Sequence, residues 1–247
     1  MVGIATRDID YRFNETTMSG YFAVPSDAAQ PLPGLLIVHD AWGLTDEVKS
    51  LAEKFASLGF AVFCADAWGD RFCPSSEDEI GSSIGAMVHN RAEWQGRISA
   101  AFDVLESQPE SNAEAIGGLG YCFGGASILE HLRIGGRIHS AVSIHGGLDL
   151  LDSGWNASSY EAAVLLCTGS DDPMATESQR ATLQQEMSTA GITWEVDLYS
   201  HTVHAFTSPK SAHSPRKDLF DYNPLSSQRA WDRTVNFLHE TLNPSPA

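Results

Sequence analysis

The stretch GLGYCFGG, residues 118–125, places four glycines around one cysteine, and it decides the fold of this chain. An apolar run at residues 115–120 predicts a strand that ends here, and residues 124–132 predict a helix that begins here. Cys122 has one glycine two residues before it and another two residues after it. This is the spacing of a sharp strand-to-helix turn, in which larger side chains at the glycine positions would collide with the strand and the helix. The pattern therefore predicts that Cys122 is held at the carboxyl end of a strand.

Three interpretations of Cys122 are open from this turn alone. Its position at a helix N-terminus favours the thiolate, which would make it a nucleophile. A dinucleotide-binding turn fits less well, because the glycines give G-x-G-x-x-x-G, one residue too long, and because two strand–helix units precede it. The third interpretation is an inert buried cysteine, which we assign to Cys64 and Cys167 within or at the end of predicted strands. Cys122 differs from these only if it has catalytic partners.

Strands and helices alternate along the chain, which predicts an α/β fold with a mostly parallel central sheet and helices on both faces. Residues 9–11 and 18–24 alternate more strictly and predict an antiparallel edge. We expect a single domain over residues 1–247, with an irregular segment at residues 67–90 on the side of the pocket and a frayed tail at residues 243–247. The other predicted strands are residues 34–39, 60–65, 138–144, 162–167 and 194–199, and the other predicted helices are residues 46–57, 91–107, 176–190 and 226–242.

The composition limits the partners of the chain. It has 247 residues, of which 43% are hydrophobic, and this is enough for a sizeable core. The net charge of −17, from 15 basic and 32 acidic residues, argues against nucleic acid and anionic membranes as partners. The opening MVGIATRDIDYRF lacks a signal-peptide pattern, and no apolar run approaches the roughly 18 residues of a membrane helix. We therefore expect a soluble cytoplasmic protein, and the sequence does not predict its oligomeric state.

The cysteines and histidines give no support for a disulfide framework or a metal site. The four cysteines are widely spaced in a chain without a secretion signal, so we expect reduced thiols. No pair has C-x-x-C spacing, and the nine histidines include no HExxH pattern. The sequence therefore predicts neither a metal nor an organic cofactor.

A candidate acid for Cys122 follows the predicted strand at residues 162–167. Asp171 and Asp172 come just after this strand, so they are expected at the same rim of the sheet as the turn that carries the cysteine. Pro173 restricts the loop, which helps a carboxylate there to orient an imidazole. Either acid could instead serve the turn or cap that leads into the next helix. We predict that Asp172 is the partner.

A candidate base follows the last predicted strand, residues 194–199. His201 and His204 compete for the role, and both lie at the carboxyl rim. His201 is closer to the end of the strand, whereas His204 leads into a loop that returns over the rim, so we predict His204. The chain order is then nucleophile, acid and histidine. Surface or hydrogen-bonded structural roles are predicted for the other seven histidines, His39, His89, His131, His139, His145, His213 and His239.

An oxyanion hole requires two N–H donors. The backbone N–H of Phe123, directly after the candidate nucleophile, is the first. The turn at residues 40–43, which follows the strand at residues 34–39, is expected to supply the second, and we predict that it comes from Ala41.

Together these residues resemble the dienelactone hydrolase family of α/β-hydrolases. The resemblance covers nearly the whole chain and rests on LIVHDAWGL at residues 36–44, GYCFGG at 120–125, GSDDP at 169–173 and VHAFT at 203–207, with a YNP…RAW…F pattern near the C-terminus. The family implies a Cys–His–Asp triad that opens lactones or esters through an acyl-enzyme, without a cofactor. Carried over by position, Cys122 is the nucleophile, His204 is the general base and then acid, and Asp172 orients the imidazole.

Two positions depart from the family pattern. An acid that usually helps to activate the thiol is a glutamate in the family, and here it is Asp40, whose side chain is one carbon shorter and keeps the negative charge. Dienelactone-cleaving members hold the substrate carboxylate with arginines, one of them four residues after the catalytic histidine, where this chain has Ser208. Arg71 and Arg91 are the candidates for a replacement cation. The candidate pocket residues are Trp42, Trp68, Arg91 and Phe206, and a core role for each aromatic residue is equally open.

The sequence therefore predicts a hydrolase that cleaves a small ester or lactone. Two alternatives use the same fold. One is a binding or regulatory protein that keeps the thiol but has reduced or lost turnover, and the other is an acyltransferase or peptidase that uses the same triad. The acyl acceptor depends on the pocket, so residue types alone do not separate them.

Overall fold

The computed structural model describes residues 3–156 and 161–242, so the predicted frayed tail at residues 243–247 lies outside the described part. The strands are β1 (Ile4–Phe13), β2 (Thr16–Pro25), β3 (Leu32–Val38), β4 (Ala61–Ala65), β5 (Ser111–Tyr121), β6 (Ser140–Ile144), β7 (Ala163–Gly169) and β8 (Thr193–Tyr199). The helices are α1 (Asp46–Ala56), α2 (Glu77–His89), α3 (Arg91–Ser107), α4 (Phe123–Arg133), α5 (Glu177–Thr189) and α6 (Pro224–Leu242), with short 3₁₀ turns at Leu148–Leu150 and Pro209–His213.

The strands follow the order β1-β2-β4-β3-β5-β6-β7-β8 in one mostly parallel sheet. The pairs β3–β4, β6–β7 and β7–β8 are parallel, whereas β1–β2 and β2–β4 are antiparallel. This confirms the predicted α/β class with an antiparallel N-terminal edge. Two of the parallel strands, β4 and β6, are buried along their whole length, which explains why they read as continuous apolar runs instead of alternating ones.

The chain divides into two compact units, residues 1–119 and 120–247, and the predicted single domain stays a prediction. In the first unit, α1 packs on β2 and β4, and α3 packs on β1, β3 and β4. Helix α1 buries Ala52, Phe55 and Ala56 on one face, as the helical spacing of its apolar residues requires. The chain leaves this helix through Gly59, whose φ of 97° is readily adopted only by glycine.

The loop after β4 is organised by the buried carboxylate of Asp66. Its oxygens accept hydrogen bonds from the backbone N–H groups of Ser19, Gly69 and Arg71 at 2.9–3.1 Å. The Arg71 guanidinium is bound to the Asp8 carboxylate at 2.6 Å and to backbone carbonyls of β2. These partners already hold Arg71 in a structural role, which weakens its candidacy as a substrate-binding cation.

The prediction that residues 67–90 form an irregular segment is wrong for its second half, which is helix α2. The Ser76 side chain caps the helix by accepting a hydrogen bond from the Glu79 N–H at 3.3 Å. Ile80, Ile84 and Met87 then recur at helical spacing, and Met87 is buried. Two glycines of low helix propensity within this stretch obscure the pattern in the sequence. The placement of the segment beside a pocket stays a prediction.

In the second unit, β6, β7 and β8 are parallel neighbours, and helices α4, α5 and α6 pack on them. All eleven residues of α4 are buried, including the ion pair between Glu130 and Arg133 at 2.7 Å. Arg133 also donates to the backbone carbonyl of Gly154, at 3.0 Å, and Glu130 accepts from the N–H of Asp152. Every residue of α4 is therefore buried, and the first residue of the helix directly follows Cys122.

Candidate functional site

The turn at Cys122 has the geometry that the glycine spacing predicts. Strand β5 ends at Tyr121, Cys122 has φ 53° and ψ −116°, and α4 begins at the next residue. A Cβ atom added to Gly120 would overlap the carbonyl group of Gly124, so only glycine fits there. The Cys122 N–H donates to the Ile144 carbonyl at 3.1 Å. The non-glycine residue at positive φ is a strained conformation that persists only where its surroundings impose it, as at functional sites.

The four cysteines are free thiols, and their environments differ. Cys64 and Cys167 are buried, and this burial raises the pKa of Cys167 to about 12 and that of Cys64 still further. Both are therefore protonated and shielded, which confirms their prediction as buried cysteines. Cys73 is exposed, and Cys122 is half-buried at the N-terminus of α4.

Of the two acids that follow β7, the structure brings Asp172 to the candidate base. Asp172 is 2% exposed, its Oδ1 accepts the Met174 N–H at 2.9 Å, and its Oδ2 lies 2.9 Å from Nδ1 of His204. Asp171 is exposed, and its carboxylate accepts a hydrogen bond from the neighbouring Ser170 hydroxyl. Burial and hydrogen bonding therefore distinguish two residues that are adjacent in the sequence.

Glycine again allows the loops that carry the acid and the base to meet. A Cβ atom on Gly169 would overlap the backbone carbonyl of Thr202, and the Asp171 N–H donates to that same carbonyl at 3.1 Å. His204 is buried, and its backbone N–H donates to the Leu219 carbonyl at 3.0 Å. The competing His201 is exposed. The loop after β8 thus turns His204, and not His201, towards the acid.

The ring of His204 is strongly biased towards the protonated form. Burial by itself lowers its pKa, but the charge of Cys122 and the hydrogen bond to Asp172 outweigh burial and raise the pKa to about 10. Cys122 acts on the ring mainly through its charge. However, Nε2 of His204 makes no hydrogen bond of regular geometry with any described residue. The thiol and the ring therefore interact in a looser contact than a regular hydrogen bond, which is common in catalytic pairs before substrate binds.

Two further groups in this unit act on His204, and the sequence reasoning missed both roles. The His145 ring lies 5.1 Å from the His204 ring, centroid to centroid, at 64°. Asp149, in the 3₁₀ turn after β6, is partly desolvated, which raises its pKa, and it interacts electrostatically with His204 and Asp172. Their position in the sequence could have indicated these roles. Both residues follow the carboxyl end of β6, and the carboxyl ends of parallel strands are where such sheets place functional groups.

The remaining predicted site residues are placed as follows. In the first unit, Asp40 accepts the Trp42 N–H at 2.9 Å, and Ala41 accepts the Trp68 indole N–H at 3.3 Å. Trp42 is 45% exposed, whereas Trp68 is buried. The Arg91 guanidinium lies over the ring of Trp94 at 5.6 Å.

In the second unit, Phe123 is the buried first residue of α4. Phe206 has no exposed surface, and the rings of Tyr199 and His145 contact it. It therefore packs in the core instead of lining an open pocket.

A cavity of about 220 Å³ lies between the 3₁₀ turn after β6 and helix α5, where Leu148, Thr182 and Glu186 are among its lining residues. Neither Cys122 nor His204 lines it, so it is separate from the candidate site. Among residues 3–156 and 161–242, no group of three or more His, Cys, Asp or Glu side chains is placed to hold a metal ion. In the same ranges, no helix combines the length and apolarity needed to span a bilayer.

Four features define the class of the protein as the α/β-hydrolase fold. They are the strand order, the cysteine on a strand-to-helix turn after β5, the acid after β7 and the histidine after β8. The sequence model described as the dienelactone hydrolase family matches residues 18–242. This chain belongs to the dienelactone hydrolase family and, with it, to the carboxylic ester hydrolases.

Similar proteins cover almost the whole chain. A solved structure described as a dienelactone hydrolase-like promiscuous phosphotriesterase from metagenomic libraries is 31% identical, covers 96% of this chain and 98% of its own, and superposes with a TM-score of 0.89. A putative carboxymethylenebutenolidase of Aquifex aeolicus is 22% identical over 95% of this chain and 98% of its own. A probable 2-oxo-3-(5-oxofuran-2-ylidene)propanoate lactonase of Bradyrhizobium is 24% identical over 95% of this chain and 94% of its own.

Proposed function

We propose that this protein hydrolyses a small ester or lactone with Cys122 as nucleophile, His204 as general base and acid, and Asp172 as the group that orients His204. The observation that carries the proposal is the buried His204, which is bound to Asp172 at 2.9 Å through Nδ1 and is electrostatically coupled to Cys122. The hydrogen bond fixes the tautomer, because Nδ1–H donates to the carboxylate and Nε2 is left for the thiol.

In the first half-reaction, Cys122 Sγ attacks the carbonyl carbon as the thiolate. The raised pKa of His204 favours the pair in which the proton resides on the imidazole and the negative charge on sulfur. The N–H of Phe123, at the N-terminus of α4, is the proposed first donor to the oxyanion, and the N–H of Ala41 is the second donor predicted from the sequence. The tetrahedral intermediate collapses to a thioester, and the leaving alkoxide takes the proton from His204.

In the second half-reaction, water replaces the alcohol. Nε2 of His204 accepts a proton from the water while the oxygen of that water attacks the thioester carbonyl. The carboxylic acid leaves, and the proton on His204 restores the imidazolium–thiolate pair. No step requires a metal or an organic cofactor, because the nucleophile, the base and the orienting acid all come from the chain.

The substrate class follows from the family and from one departure. Relatives are described as carboxymethylenebutenolidases and as a lactonase, which supports a lactone or a small ester. Ser208 stands where the dienelactone-cleaving pattern has an arginine, and Arg71 is bound to Asp8 and to carbonyl groups of β2. We therefore favour uncharged esters and lactones over substrates that carry a carboxylate.

A panel of short-chain aryl esters and lactones tests the proposal with wild type, Cys122→Ala and His204→Ala. Both variants should lose nearly all turnover, whereas Cys73→Ala, which removes the exposed thiol, should keep the wild-type rate. Iodoacetamide near neutral pH should modify Cys122 before Cys73, as read by peptide mass spectrometry. Wild-type turnover in Cys122→Ala, or equal modification of the two thiols, would show that the nucleophile is assigned wrongly.

A second candidate activity is the hydrolysis of organophosphate triesters. The relative described as a promiscuous phosphotriesterase is 31% identical along 96% of this chain, which is the observation in its favour. Sγ of Cys122 would then attack phosphorus and expel an aryl alcohol, and water would release the dialkyl phosphate. An aryl dialkyl phosphate assayed beside the esters tests this activity. Release of the aryl alcohol that persists in Cys122→Ala would contradict it.

A further inference from the structure

His145 stands out among the residues that the proposed mechanism does not use. It directly follows β6, has φ 38° and is 3% exposed. A non-glycine residue at positive φ costs free energy, and such residues concentrate at functional sites, where the surrounding structure holds them in place. Here the backbone N–H of His145 donates to the carbonyl of Cys167 in β7 at 2.8 Å. The strained backbone is therefore anchored to the neighbouring strand.

The side chain of His145 is bound to the loop that carries His204. Its Nε2 lies 2.8 Å from the hydroxyl of Thr207, three residues after His204. Its Nδ1 is buried without a hydrogen bond of regular geometry to a described residue, and its own backbone carbonyl is the acceptor that acts on the ring. This arrangement favours the tautomer in which Nδ1 carries the hydrogen and Nε2 accepts from the Thr207 hydroxyl.

Two aromatic rings contact the imidazole of His204 edge to face. One is His145, at 5.1 Å and 64°, and the other is Phe220, at 5.9 Å and 78°. The single hydrogen bond to Asp172 fixes one point of the ring and leaves its tilt free. Packing against two rings removes that freedom, and edge-to-face contacts of this kind add roughly 0.5–1.5 kcal/mol beyond the area they bury.

His145 can pack against a protonated His204 only as an uncharged ring. Burial, and to a lesser degree the charge of His204, lower the pKa of His145 well below its usual value, so it stays neutral across the working pH range. Among the described residues, three titratable groups lie around His145, namely His204 from the loop after β8, Tyr121 from β5 and Cys167 from β7. Two carboxylates, Asp172 and Asp149, act on His204. Burial raises the pKa of both Tyr121 and Cys167, so neither supplies a charge.

We propose that His145 is a positioning residue for His204: its ring sets the tilt of the catalytic imidazole, and its hydrogen bond to Thr207 holds the loop that carries it. The proposal rests on the proposed function of His204. It assigns to His145 no contact with the reacting atoms. Its consequence is that the alignment of Nε2 towards Cys122 depends on a residue outside the triad.

Three variants separate the two contacts of His145. His145→Phe keeps an edge-to-face ring but loses the bond to Thr207, His145→Gln keeps an acceptor but loses the ring, and Thr207→Val removes only the hydroxyl. His131→Gln is the matched control, because His131 is also a buried histidine but belongs to α4. Each variant is assayed for kcat and KM with a short-chain aryl ester, and its melting temperature is measured in parallel.

We expect His145→Gln to lower kcat about 10- to 100-fold with little change in KM, by analogy with the losses seen when the group that orients a metal-ligating histidine is removed. His145→Phe and Thr207→Val should show smaller losses of kcat. With a less well held imidazolium, the pKa of His204 falls from about 10 towards 6.5, so the basic limb of the kcat/KM profile moves to lower pH. The rate at which iodoacetamide modifies Cys122 at pH 7 should fall in parallel.

The control separates positioning from simple stability. His131→Gln should lower the melting temperature while it leaves kcat and the pH profile at wild-type values. If the His145 variants also change only the melting temperature, or keep the wild-type kcat and pH profile, the positioning role is refuted. Cys122→Ala distinguishes this failure from failure of the proposed function, because an active Cys122→Ala enzyme refutes the triad itself.

Discussion

Replacement of Asp172 by asparagine separates the charge of the acid from its shape. The Met174 N–H can still donate to Oδ1 in the variant, so the loop keeps its main hydrogen bond. The side-chain amide, however, faces Nδ1 of His204 with a donor where the wild type has an acceptor. The neutral imidazole must then carry its hydrogen on Nε2. In that tautomer Nε2 can no longer accept the proton of the thiol.

The structure gives the size of the expected effect. The rise in the pKa of His204 from 6.5 to about 10 corresponds to about 5 kcal/mol in favour of the imidazolium. Cys122 and Asp172 are the groups that raise it. If Asp172 supplies about half, the loss of its charge costs on the order of 2–3 kcal/mol, or roughly 30- to 160-fold in rate. The wrong tautomer adds to this, up to the roughly 10⁴-fold loss known for the same change in serine proteases.

The assay compares kcat/KM of Asp172→Asn with that of Asp171→Asn on one aryl ester. Asp171 is the adjacent acid and is exposed, so its variant should stay within about twofold of wild type, as surface changes usually do. An Asp172→Asn enzyme within threefold of wild type would refute the reasoning. So would a pair in which Asp171→Asn is the more damaged variant.

Three further predictions concern stability. Gly120→Ala should fail to fold or lose several kcal/mol of unfolding free energy in urea, because its Cβ would overlap the Gly124 carbonyl. Its control is Gly81→Ala in α2, where an added Cβ has no atom within 4 Å, and this variant should gain about 0.5–1 kcal/mol. Arg133→Met should cost about 3–5 kcal/mol in the same assay, because it leaves the buried Glu130 carboxylate without the positive charge of the guanidinium, and a second change, Glu130→Met, should recover most of the loss. Burial lowers the pKa of His131 to about 4, so its contribution to stability is complete above pH 6.5 and is lost as the pH falls towards 4; His131→Leu should flatten the pH dependence of unfolding over that window. An unchanged slope in His131→Leu, a fully folded Gly120→Ala, or a double variant no more stable than Arg133→Met would each contradict the corresponding prediction.

The fold class was predictable because it depends on local patterns. Buried parallel strands leave continuous apolar runs, and the helices between them leave 3.6-residue periodicity. Helix α2 was missed because two glycines weaken its pattern and because only one of its residues, Met87, is buried. The N-terminal β1–β2 pair was predictable from its alternation, although the strands are longer than that alternation indicates.

The candidate site was predictable down to a choice between neighbours. Chain order places an acid after β7 and a histidine after β8, but it does not distinguish Asp171 from Asp172 by geometry, since the distinction depends on which side chain the turn buries. His145 was out of reach for a different reason. Its importance depends on a ring-to-ring contact between two loops that lie 59 residues apart in the chain, and no local pattern records such a contact.

The complete burial of α4 has a consequence for how this enzyme moves. Backbone amides of a helix with no exposed residue exchange with solvent only when the surrounding unit opens, so the amides after Cys122 should be among the slowest to take up deuterium. The proposed base, His204, lies instead on residues 200–223 between β8 and α6, where the regular structure is a short 3₁₀ turn and the bridge between His204 and Phe220. Heat, mild denaturant or a change in sequence will therefore loosen the imidazole before it loosens the thiol. Activity is then expected to decline in a protein whose proposed nucleophile is still fixed in place, and the loop that carries His204 becomes the element that sets the working temperature.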